Sequence, residues 1–82
     1  MAMGVVARVA AEQGFNADLV QEIENANTVE AAMERLKSEP GAQAFWMEIE
    51  RRIAAAVHAR VPLVQRVEVR LFDLHGNTLG VA

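Results

Sequence analysis

The apolar residues of this chain change their spacing at Pro62, from a helical period before it to a period of two after it. That switch sets the expected fold class. The most strongly patterned stretch runs from Pro40 to about Arg60, with Ala42, Phe45, Trp46, Ile49, Ile53, Ala56 and Val57 on one face. Pro40 suits a first helical position, where its missing N–H would have had no partner anyway. At ~1.5 Å per residue such a helix is about 30 Å long, more than three short helices can cover. Part of its stripe is therefore expected to be left for another partner. Glu48 reaches Arg52 at i+4 on the solvent side.

Three shorter helices precede it, over residues 3–13, 17–25 and 29–37. The first has Val5, Val6, Val9 and Ala10 on one face and ends at Gly14, which takes the left-handed conformation at low cost. Asn16 and Thr28 are expected N-caps, because a short side-chain oxygen accepts a hydrogen bond from a free backbone N–H of the first turn. The second helix buries Leu19, Val20, Ile23 and Ala26, and the third Val29, Ala32, Met33 and Leu36.

Beyond Pro62, Leu63, Val67, Val69 and Leu71 alternate with Arg66, Glu68 and Arg70, the pattern of a half-buried strand. The polar run Asp73-Leu74-His75-Gly76-Asn77 reads as a turn. A three-residue loop of Leu74, His75 and Gly76 places Leu79 opposite Leu71 and Val81 opposite Val69, keeping apolar pairs on one face. The expected fold is thus α+β in one domain, 1–82: three short helices and one long helix, then a C-terminal antiparallel β-hairpin with strands 63–73 and 77–81.

An 82-residue chain buries a modest core, and without cysteine it has neither disulfides nor thiolate metal sites. A lone two-stranded ribbon is also marginal in water. Both points lead to an expected homodimer, through the hairpin or the long helix. Arg66, Glu68 and Arg70 would suit antiparallel self-pairing, and Trp46 would serve as a contact if the long helix is left uncovered.

The longest unbroken apolar run, Ile53 to Val57, is far short of the ~20 residues that span a bilayer, and the first residues lack a basic stretch and long apolar core. A cytoplasmic protein with no membrane association is expected. Catalytic candidates are few. Ser38 sits at a helix boundary, and the five glycines are scattered rather than gathered in a phosphate loop. His58 has Ala54, Ala55, Val61 and Pro62 where a second helical ligand would stand, and His75 with Asp73 lies at a turn. Glu22 and Glu24, like Glu48 and Glu50, point to different sides of a helix and are expected on a solvated face. No cofactor, no metal and no enzyme activity are expected.

Residues 10–25 resemble the helix-turn-helix of phage-repressor-type regulators. Ala10, Gly14, Phe15, Asn16, Val20, Ile23, Glu24 and Asn25 stand where that family has its alanine, glycine, core and Ile-Glu-Asn positions. The resemblance implies a DNA-binding regulator whose second helix presents Asn16, Ala17 and Gln21 to base edges. That helix also carries Asp18, Glu22 and Glu24 without a basic residue, and the chain has a formal net charge of −3. Such a surface repels phosphates, which disfavours nucleic acid as a partner and makes a basic protein groove the better match. The leading expectation is a small non-enzymatic protein-interaction module, regulatory or inhibitory. It would bind a protein partner through an acidic face of Asp18, Glu22, Glu24 and Glu30, with the DNA-binding regulator as alternative.

Overall fold

In the computed structural model, residues 3–80 are described, and they form four helices: α1 (Met3–Glu12), α2 (Ala17–Asn25), α3 (Val29–Leu36) and α4 (Ala42–Arg60). The boundaries between them are built from local chemistry. Gly14 is left-handed at φ 87°, and behind it Phe15 N–H bonds to Ala10 C=O while Gly14 N–H bonds to Ala11 C=O. This double closure satisfies the last carbonyls of α1 and turns Phe15 back toward the core. The Asn16 side chain accepts from Leu19 N–H at 2.8 Å, and the Thr28 hydroxyl accepts from Ala31 N–H at 3.1 Å. Each satisfies one donor that a helix start leaves free.

α4 starts at Ala42 rather than at Pro40. Gly41 at φ 84° interrupts the turn, and a Cβ there would meet the Phe15 ring at 3.6 Å. Pro40 therefore belongs to the reversal that brings α4 under the shorter helices.

The core lies between α1, α2, α3 and the first half of α4. Val6, Val9, Leu19, Ile23, Leu36, Phe45, Trp46 and Ile49 are its largest buried side chains. Phe45 is central, 5.6 Å from the Phe15 ring centroid and 4.8 Å from that of Trp46 in an edge-on arrangement. Two ion pairs lace the helices from outside: Arg52 of α4 to Glu12 of α1, and Arg35 of α3 to Glu22 of α2. Past Ile49 the cover runs out. Ile53 is half-buried, and Ala56 and Val57 are exposed, as is Val5 on the neighbouring edge of α1.

The expected C-terminal hairpin is absent. Among the described residues there is no sheet, and the pairing reduces to one antiparallel bridge, Phe72 with Thr78. The three-residue turn is present: Asp73 N–H bonds to Asn77 C=O, Leu79 N–H bonds to Leu71 C=O, and Gly76 is left-handed at φ 85°. The ladder stops there for a physical reason. Leu71 N–H, which a longer ladder or its solvent would satisfy, bonds instead to the Glu50 carboxylate of α4 at 2.7 Å. Among the described residues, no strand lies beside 63–70. The expected pairing of Val81 with Val69 lies outside the described residues. Alternation itself survives: Val67, Val69 and Leu71 are half-buried, while Arg66, Glu68 and Arg70 are exposed. The extended arm uses its apolar side against a helix rather than a sheet. The fold is all-helical with an extended arm, not α+β.

Truncating a fully buried side chain should remove much of the stability of so small a domain. Leu36→Ala or Ile23→Ala is expected to cost about 2–5 kcal/mol, whereas Val57→Ala on the uncovered half of α4 should stay within about 0.5 kcal/mol. Urea denaturation followed by circular dichroism measures both.

Candidate functional site

The extended arm and α4 enclose a cleft of about 320 Å³, lined by Met47, Glu50, Arg51 and Ala54 of α4 and by Val67 and Val69 of the arm. Glu50 decides its geometry. A glutamate one turn after Trp46 falls on the flank of the core stripe, and it is only 6% exposed. Its carboxylate holds Leu71 N–H, and the arm returns beside it at Gly80, which is buried. A Cβ on Gly80 would lie 2.9 Å from Met47 N and would collide with the Glu50 carboxylate. Glu50 and Gly80 thus form a clasp that fixes the arm to α4, with Leu71 and Leu79 packed against the core. Glu50 was expected on a solvated face. The signal that places it otherwise is its i+4 relation to Trp46.

The other face of α4 carries a second feature, two shallow apolar clefts that share Ile53 and Ala56. One, about 160 Å³, adds Val5, Ile49 and Arg52; the other, about 340 Å³, adds Val57 and Arg60. Together they make one continuous apolar strip along the distal half of α4.

Between these faces runs an ion cluster. Glu48 accepts from Arg51 at 2.6 Å and from Arg52 at 2.9 Å, and Arg52 continues to Glu12. The hydrogen bonds from Arg51 and then Arg52 pull the Glu48 carboxyl from its ordinary 4.5 to about 2.

The residues singled out from the sequence are scattered over these surfaces. Asp18, Glu22, Glu24 and Glu30 are all exposed on α2 and α3, and Glu22 is paired with Arg35, which also bonds Glu39 at 3.1 Å. Asn16 is occupied as the cap of α2, Ala17 is exposed, and Gln21 bonds to Asn25 at 3.3 Å. Trp46 is 2% exposed and belongs to the core, so it offers no contact surface. Arg66, Glu68 and Arg70 are exposed on the arm, with Arg66 paired to Glu68 of the same chain. His58 is exposed. At the turn, Asp73 accepts from His75 N–H at 2.8 Å and Asn77 N–H at 2.9 Å, and the Asn77 bond leads in holding its carboxyl below the ordinary value. Asp73 and His75 therefore shape a turn. Among the described residues no three of His, Cys, Asp or Glu gather as metal ligands, and no helix is long and apolar enough to cross a membrane.

Comparison with known proteins gives the chain a family. The model described as "CbiD, C-terminal domain" matches residues 1–82. The chain belongs to the CbiD C-terminal domain family. It is 58% identical over 82 residues to a cobalt-precorrin-5B C(1)-methyltransferase of Ralstonia nicotianae, covering 100% of this chain and 21% of the relative. It is 49% identical over 82 residues to a protein of the same name from Chromobacterium violaceum, covering 22% of that relative. The CbiD-family chain thus spans about a fifth of the length of these curated relatives. No solved structure matches it.

Membership in the CbiD family overturns the expected function. Both the non-enzymatic regulatory or inhibitory homodimer and the DNA-binding alternative give way to a domain whose relatives carry the name of an enzyme, and so does the expectation that no enzyme is involved. Sequence reasoning missed this because the arguments against catalysis concerned chemistry within these residues alone. A domain of an enzyme need not hold the reacting groups.

Two outcomes test this geometry. Glu50→Ala leaves the partly buried Leu71 N–H without its acceptor, a loss of about 1 kcal/mol or more. Residues 71–80 should then become sensitive to limited proteolysis while the helical circular dichroism of α1–α4 is kept, and Glu50→Gln should retain most of the protection. Separately, the Glu48 pairing contributes stability that is present above the ordinary carboxylate range and is lost as pH falls toward 2. A carboxyl-detected NMR titration should place the Glu48 midpoint near 2 and return it toward 4.5 in Arg51→Ala/Arg52→Ala.

Proposed function

We propose that this chain acts as the C-terminal domain of a cobalt-precorrin-5B C(1)-methyltransferase, an enzyme that adds a methyl group at C1 of its cobalt-containing substrate. The observation that carries this is the 58% identity to the Ralstonia nicotianae protein along the whole of the chain. In this reading the domain contributes architecture, and the reacting groups belong to the remaining four fifths of the enzyme. The disposition of its polar groups supports that division. Glu50, Glu48, Arg52 and Asp73 are all engaged in bonds that hold the domain's own elements together. A cytoplasmic location accords with a biosynthetic enzyme of this kind.

The test is a graft. The stretch of the Ralstonia nicotianae enzyme that matches this chain is deleted, and in a second version it is replaced by these 82 residues. Deletion is expected to abolish methyl transfer to cobalt-precorrin-5B, and the graft to restore it, read by mass spectrometry as gain of one methyl group. A folded graft that transfers no methyl group would refute the proposal.

A further inference from the structure

The distal half of α4 keeps an apolar face that the fold leaves uncovered. Val57 is 41% exposed, and Val5 of α1 is 39% exposed. Ile53 and Ala56 join these into one strip across two adjoining clefts. Apolar side chains gathered side by side, rather than scattered singly, are the kind of surface that a contact covers. Its occupant can be argued from what lies around it. The family description puts this domain at the C-terminal end of longer chains, and the relatives have about four fifths of their length outside the matched region. A preceding part of such a chain arrives through α1, and Val5, on the first turn of α1, is one wall of the strip. The covalent link matters energetically. A tethered partner meets the strip at an effective concentration of about millimolar, so a narrow apolar contact suffices, whereas a second free copy needs a far larger surface.

We propose that the strip formed by Val5, Ile53, Ala56 and Val57 is the seat on which the preceding part of the methyltransferase chain docks. This rests on the reading of the chain as a methyltransferase domain. The docking surface of that part is apolar at its centre and presents a carboxylate toward Arg60, which forms no ion pair among the described residues and borders the strip. The clasped arm lies on the opposite flank of α4 and leaves the seat open.

The chain contains no cysteine, so one can be placed as a reporter. Val57→Cys is made in the 82-residue chain alone and in the full-length graft described above, and thiol labelling is followed by peptide mass mapping. Labelling is expected to be fast in the chain alone and slower by about tenfold or more in the graft, with full reactivity regained in denaturant. Equal rates in the two proteins would overturn the proposal. So would protection in the isolated chain that grows with its concentration, since the seat would then belong to a second copy. Methyl transfer by the same graft separates the two readings. An active graft with a reactive Cys at this position refutes the docking seat alone, and an inactive graft with a protected one refutes the activity alone. If the graft does not fold, cysteine at the aligned position of the intact Ralstonia nicotianae enzyme gives the same readout, and a reactive thiol there refutes the seat.

Discussion

Phe45 and Trp46, near the start of α4, are the largest side chains buried in the core that the four helices share. None of α1, α2 and α3 exceeds 10 residues, and helices of that length are marginal in water on propensity alone. Their stability comes from tertiary contact, α1 packing most extensively on α2 and the first half of α4 completing the core. The Phe15–Phe45–Trp46 array joins the reversal after α1 to the start of α4, so a single aromatic cluster ties the first and last helices together. The ion pairs from Arg52 and Arg35 are exposed and add little to this.

Much of that arrangement was legible in the residues. Asn16 and Thr28 announce helix starts by the geometry of a short polar side chain, and Gly14 announces a helix end by its freedom to go left-handed. These are local effects, decided within a few residues, and tertiary structure had no reason to override them. The arm after Pro62 shows where such reading stops. Alternation over Val67, Val69 and Leu71 reports a surface with one buried side, and it cannot report what does the burying. Here α4 does it, through a glutamate whose carboxylate takes the place of a neighbouring strand's carbonyl at Leu71. The turn at Asp73 forms with the expected loop length, yet a turn does not oblige the chain to continue pairing on both sides of it.

The candidate site was harder to see for the same reason. The excess length of α4 over its cover is visible in the run from Pro40 to Arg60, and the residues left over, Ile53, Ala56 and Val57, follow from it. Acidic residues on α2 and α3 drew attention because charge is conspicuous in a sequence, whereas Glu50 was one carboxylate among several until its position relative to Trp46 was fixed. The functional reading changed most because a domain's place in an enzyme is a property of the whole protein.

The uneven cover of α4 gives one helix two different lives. Amides near Phe45 and Ile49 sit in the core and can exchange with solvent only when the whole domain opens, whereas those near Val57 and Arg60 are held by little beyond the helix's own hydrogen bonds. Stability therefore falls along a continuous rod, from an end as durable as the domain to one that frays freely. A contact on the less covered end would supply the tertiary support that this half of the helix lacks within the domain.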